Sequence, residues 1–179
     1  SHTLKIHKDT PFFDGQFSNR CYSESVKTDF VDFRKKAINS GRYDPDEDTI
    51  LTEQWDRIIV HLPYAFQGQR MFPDVFRHDR RELPMWENIV SEIGPEPFPE
   101  DFDDTAEGYE EFEKANDSYR RLISKTEEFK QFVEQRIEKT QRASSLIGNQ
   151  YTGSIFLALM STMESDYLDG TDMEGKRVG

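Results

Sequence analysis

Arg57-Ile58-Ile59-Val60-His61-Leu62-Pro63 is the stretch on which the fold class turns. It is a short, β-branched, apolar run closed by a proline, which predicts a strand whose side chains are covered on both faces, as in an α/β sheet. Side chains at the C-terminal end of such a strand look into the cleft where ligands bind. His61 stands at that end. A histidine there can serve as a general base or hydrogen-bond a substrate carbonyl. A histidine that merely packs in the core or caps an element fits the same position.

Working outward, the flanks read mostly as helix. Cys21, Tyr22, Val26, Phe30, Phe33 and Ala37 recur at three- and four-residue steps, which predicts an amphipathic helix from Asn19 to about Ser40, capped by Ser18 and closed by Gly41. The residues from Arg42 to Asp48 read as a loop, and Thr52 to Trp55 as a short helical turn. A helical pattern resumes over residues 64–82, with Pro73 expected to kink or restart it. Gly94 to Thr105 hold four Pro or Gly residues and five acidic ones, a composition that predicts a solvated surface loop or insertion. One long, charge-laced helix is expected from Ala106 to about Gln141, and a more apolar one from Ser154 to about Ser165. The last residues, Glu174 to Gly179, read as the start of a strand, an odd place for a complete domain to stop.

Composition bounds the possible partners. With 35% hydrophobic and 32% charged residues, the 179-residue chain is polar for a self-sufficient domain, although 14 Phe, 7 Tyr and 2 Trp separate it from disordered sequences. Its net charge of −12 repels phosphate backbones, which argues against nucleic acid as a partner. Apolar runs are too short to span a bilayer, and no secretory leader is visible, so no membrane association is expected. The lone cysteine, Cys21, rules out an internal disulfide and fits a reducing cytoplasm. Its place on the apolar side of the first helix predicts a buried packing role rather than a reactive thiol. His2, His7 and His78 lack ligand spacing with each other or with acids, and no metal site is expected.

The second chemical candidate is Gly148-Asn149-Gln150-Tyr151-Thr152, at the mouth of the apolar helix. A glycine turn there can present the Asn149 amide to a developing oxyanion or to a histidine. A plain loop or capping asparagine is the alternative. Asp14-Gly15 reads as a turn.

Taken in order, these pieces resemble hydroxymethylglutaryl-CoA (HMG-CoA) synthases. Pro11-Phe12-Phe13-Asp14-Gly15-Gln16-Phe17-Ser18-Asn19-Arg20-Cys21-Tyr22 is similar to the family's Pro-x-x-Asp-Gly-x-x-Ser-x-x-Cys-Tyr segment. His61-Leu62-Pro63-Tyr64 resembles its His-x-Pro-Tyr/Phe, and Gly148-Asn149-Gln150-Tyr151-Thr152, with Ser154 following, resembles its Gly-Asn-x-Tyr-Thr. The ending, Gly175-Lys176-Arg177-Val178-Gly179, matches the point where the family enters its last core strands.

The resemblance implies a thiolase-like fold of layered α-β-α-β-α halves. Residues 1–179 would be a helix-rich part of the second half, with 94–105 as an insertion. It implies condensation of acetyl-CoA with acetoacetyl-CoA through an acetyl-cysteine, with no cofactor beyond these thioester substrates. His61 and Asn149 would be catalytic, and Pro63, Tyr64, Arg70 and Tyr151 would bind substrate. The family's nucleophilic cysteine and its acid/base glutamate precede the matched segment, so the remainder of the synthase polypeptide is the implied partner, and the chain alone is expected to be inactive. Cys21 matches a non-catalytic family cysteine. A homodimer is the family habit, and the mevalonate route to isoprenoids its usual setting. Phe66 stands where the family usually has a CoA-binding lysine, with Arg70 available as a substitute cation. That departure leaves open a β-branching relative that takes its donor from an acyl-carrier protein. A non-catalytic half of a split synthase is the reading from another class.

Overall fold

A computed structural model describes residues 15–44, 50–62 and 66–179. Seven α-helices make up most of that chain: α1 (Gly15–Asn39), α2 (Gln67–Arg80), α3 (Trp86–Ile93), α4 (Ala106–Ile123), α5 (Glu127–Arg136), α6 (Glu138–Ile147) and α7 (Ser154–Leu168). The apolar sides of α1 to α5 meet around Phe76, whose ring lies 5.3 Å from Phe129, 5.5 Å from Phe132 and 6.4 Å from Trp86. Phe30, Ile58, Phe72, Ile89, Ile123 and Ile137 extend the same core.

A buried cation sits against these rings. The Arg80 guanidinium lies 4.1 Å from the Phe76 centroid and 5.2 Å from that of Phe132. Burial is offset on its other side by Glu53 at 3.0 Å and Thr52 Oγ1 at 3.2 Å. Asp79 completes the cluster by accepting from the Thr52 backbone N–H at 2.8 Å and its hydroxyl at 2.7 Å. The expected turn before the apolar run is therefore present as a 3₁₀ turn, Leu51–Gln54, clamped onto α2.

The run itself departs from expectation. No strand occurs among the described residues; Arg57 forms one isolated parallel bridge with Val178. The Gly179 N–H donates to the Arg57 carbonyl at 2.9 Å, and the Ile59 N–H donates to the Gly179 carbonyl at 3.0 Å. Both faces are not covered either: Ile58 and Leu62 are buried, whereas Ile59, Val60 and His61 are half-buried. The backbone is extended, but a strand needs neighbours along its length; among the described residues its backbone partners are residues 177–179 and the Arg136 carbonyl.

Other boundaries also move. The helix expected over Ala106–Gln141 is three helices. Thr126 ends α4 by donating to the Ile123 carbonyl at 2.8 Å and starts α5 by accepting from Phe129 N at 3.4 Å. A second break falls at Ile137, where φ is −117°. α1 starts at Gly15, which puts Ser18 inside the helix instead of at its cap, and α2 runs through Pro73 without ending. Cys21 is exposed, not buried, because the N-terminal half of α1 extends beyond the core that its Phe30 and Ala37 enter. The Gly94–Thr105 segment carries the 3₁₀ turn Pro99–Asp101, and Glu96, its side chain 7% exposed, is ion-paired with Arg81 at 3.2 Å and Arg77 at 3.5 Å. One of its five carboxylates is thus an anchor. No described helix is long and apolar enough to cross a membrane.

Candidate functional site

Two distant parts of the chain, α1 and α7, converge on His61, and the segment upstream of it is itself tied down. Upstream, Arg57 ties the extended segment to α7 through Asp166, at 2.6 Å and 3.0 Å, and Ile58 N–H donates to the Arg136 carbonyl at 2.8 Å. Leu62, fully buried, seats the residue after the histidine. From α1, the Tyr22 hydroxyl donates to the His61 carbonyl at 2.5 Å, and the two rings meet edge-on at 6.2 Å and 70°. Burial pushes the Tyr22 phenol up from its ordinary value, which keeps it protonated as a donor at neutral pH. From α7, Ser154 Oγ lies 2.6 Å from His61 Nδ1.

The Ser154 contact brings the Gly148–Gly153 loop to the same end of the molecule. Gly148 has φ +84°, open to glycine at little cost, and this turn ends α6. Asn149 Oδ1 accepts from the Tyr151 N–H at 2.7 Å, a local Asx turn. That bond fixes the sense of the amide: its oxygen is occupied, and its NH₂ is the group left to donate. Tyr151 sits at φ +50° and is 76% exposed. Among the described residues, no hydrogen bond or ring contact joins Asn149 or Tyr151 to His61.

The predicted substrate-binding residues divide. Pro63 and Tyr64 lie outside the described residues. Arg70 is exposed in the first turn of α2, on a groove of about 650 Å³ that it shares with Arg20, Arg120 and Arg121. Glu24, Glu113 and Asp117 line the groove too, so its charge is mixed. Phe66, in the left-handed region at φ +66° and exposed, directly precedes α2. α2 starts close against α6: a Cβ on Gly68 would meet Gln141 Oε1 at 3.2 Å and Ile137 Cγ2 at 3.3 Å.

Sequence reasoning missed the roles of Tyr22 and Ser154. Both stood inside quoted motifs, but their partner is 39 and 93 residues away respectively, beyond any periodicity.

The His61 imidazole meets the Ser154 hydroxyl, Tyr22 holds the His61 carbonyl, and the loop carrying Asn149 leads into α7; groups of these types can hydrogen-bond a polar group or exchange a proton with it. The family model described as hydroxymethylglutaryl-coenzyme A synthase C terminal matches residues 4–179. The chain is similar to the hydroxymethylglutaryl-CoA synthase of Haloferax volcanii, 30% identical over 175 residues that make up 98% of this chain and 36% of that protein. It is also similar to the hydroxymethylglutaryl-CoA synthase of Saccharomyces cerevisiae, 26% identical over 174 residues, 94% of this chain and 32% of that protein. The chain spans about a third of the length of these curated relatives. No solved structure matches it. The chain belongs to the hydroxymethylglutaryl-CoA synthase family and corresponds to the family's C-terminal region.

Proposed function

We propose that this chain supplies the condensation side of an HMG-CoA synthase. In that reaction a glutamate takes a proton from the methyl carbon of an acetyl group held as a thioester on a cysteine. The carbanion attacks the ketone carbon of acetoacetyl-CoA, and water then cleaves the enzyme thioester. Cysteine and glutamate belong to the remainder of the polypeptide. His61 engages the acetoacetyl thioester, and the Asn149 NH₂ donates to an oxygen on which charge develops. By resemblance, Pro63, Tyr64 and Tyr151 bind substrate, and Arg70 takes a CoA phosphate.

The observation that carries this reading is the convergence of His61 with the start of α7, directly after the loop that fixes the Asn149 amide. The parallel pairing of 57–59 with 177–179 supports a thiolase-like α/β fold, in which both segments would be neighbouring strands. An apolar surface on α7, including Phe156, Met160 and Leu168, supports a covering partner, namely the rest of the synthase. A homodimer, a cytoplasmic location and a place in the mevalonate route follow the same family reading.

The exposed Phe66 favours a second reading. With no lysine there to hold CoA, the donor would come from an acyl-carrier protein. Product analysis separates the two in the complete enzyme. Acetyl-CoA with acetoacetyl-CoA should yield HMG-CoA; turnover with acetyl-carrier protein alone as donor would transfer the assignment to the second reading, and turnover with neither would remove both.

A further inference from the structure

We propose that Ser154 is a positioning residue that sets the tautomer of His61, holding the neutral imidazole with its proton on Nε2. The inference rests on the reading of His61 as the group that meets the thioester, and it specifies in what form the ring does so.

Ser154 Oγ and His61 Nδ1 are 2.6 Å apart, so a proton lies between them, and two arrangements are available. In one, the ring donates from Nδ1 to the serine oxygen. In the other, the serine hydroxyl donates to Nδ1. Ser154 is 0% exposed, and a buried hydroxyl proton without an acceptor costs far more than one hydrogen bond gains. Among the described residues, His61 Nδ1 is the partner that the Ser154 side chain meets. Donation from the ring would leave the hydroxyl proton with no acceptor there. Donation from Ser154 satisfies both groups at once, and it puts the ring proton on Nε2.

The remaining contacts hold the ring in that pose. Ser154 is the first residue of α7, so its oxygen moves only with the helix. Tyr22 fixes the His61 backbone carbonyl and flanks the ring edge-on. Leu62 is buried directly after it. A neutral imidazole held this way presents a single N–H donor, a poor proton acceptor and a good partner for a thioester oxygen as charge accumulates on it. The same logic of a second residue fixing the tautomer of a working histidine operates in catalytic triads, where the wrong tautomer costs orders of magnitude in rate. His61 is then an electrophilic donor toward acetoacetyl-CoA, and proton abstraction falls to another group.

The test uses the complete synthase labelled with ¹⁵N-histidine, recorded at alkaline pH. The expected spectrum has an acceptor-type Nδ1 and a protonated Nε2 for His61, assigned by its loss in His61→Ala. A ring protonated on Nδ1 overturns the proposal. Ser154→Ala should lower kcat for condensation about ten- to a hundred-fold, within the span typical of acid–base contributions, while the rate of acetyl-enzyme formation stays unchanged. Condensation at the wild-type rate in Ser154→Ala also overturns it. If that variant fails to fold, the wild-type spectrum decides. Unimpaired turnover in His61→Ala would instead remove the functional reading, and the ring spectrum would still report whether Ser154 sets the tautomer.

Discussion

His61 illustrates how little of a site one residue contains. Its position before a proline was legible in the sequence, as was Asn149 in a glycine-led turn. What orients it was not, because Tyr22 and Ser154 reach it through tertiary packing rather than local spacing. Tyr22→Phe keeps the ring and removes the donor, so the His61 carbonyl loses its partner. The expected cost is about 1 kcal/mol, read as a lower denaturation midpoint at unchanged slope. His78 offers a second residue-scale test. Burial first, then the neighbouring Arg81, Arg77 and Lys27, push its pKa down to about 4, with Asp74 opposing them. The folded value lies below the unfolded one, so the unfolded chain binds more protons between them. Stability is therefore full above about pH 6.5, the ordinary histidine value, and is lost as pH falls toward 4. His78→Gln should flatten that part of a plot of melting temperature against pH. Cys21 shows the opposite failure of legibility. Helical spacing identified a face of α1, but not how far along the helix the core continues.

At the scale of elements, the single apolar side expected over residues 106–141 held only in part. Phe129, Phe132 and Val133 of α5 and Ile137 after it are buried, whereas Tyr109 and Leu122 of α4 are exposed and Ile123 is buried instead, the chain being re-aimed at Thr126 and Ile137. The signal was present: a threonine followed by Glu127 and Glu128 is a helix start. The apolar run at 57–63 failed as a strand for a different reason, since ladder partners cannot be read from the run itself. What fixes it is ionic. Asp166, 1% exposed at its side chain, binds Arg57 of the extended segment and Lys139 of α6, each at 2.6 Å. Lys139 also reaches Asp169, so the start of α6 lies beside the end of α7 and the two helices run antiparallel. Burial pushes the Asp166 carboxyl up, but its bonds to Arg57 and Lys139 outweigh that and hold it below the ordinary value. Asp166→Asn should cost about 2 kcal/mol, less than the range for fully buried pairs because both cations still reach water. The loss should appear in chemical denaturation at pH 7 and shrink in acid, where the wild-type carboxylate protonates as well.

The whole molecule combines a strongly acidic surface with an apolar helix face. α7 exposes Ile155, Phe156, Met160, Met163, Tyr167 and Leu168, while Ala158 and Thr162 face inward. Its large apolar residues lie mostly on the exposed side, while its buried residues are Ser154, Ala158, Thr162, Ser165 and Asp166, so among the described residues the apolar side is left without a covering element. With a net charge of −12, copies of the chain repel one another in dilute buffer, and salt should weaken that repulsion. The 179-residue chain by itself should bind an apolar dye and self-associate as salt rises, and Phe156→Glu with Met160→Glu should suppress both. No change in either would mean that this face is not sticky. The family was legible from four motifs in order, whereas the exposed apolar side of α7 was visible only once the helices were packed. The division of labour itself is tested most directly by single-turnover acetyl transfer in His61→Ala of the complete enzyme. Acetyl-enzyme should form from acetyl-CoA at the wild-type rate, and adding acetoacetyl-CoA should yield no HMG-CoA above about a hundredth of the wild-type rate. Wild-type condensation in that variant, or failure to form acetyl-enzyme in a folded protein, would contradict the assignment of this chain to the condensation side.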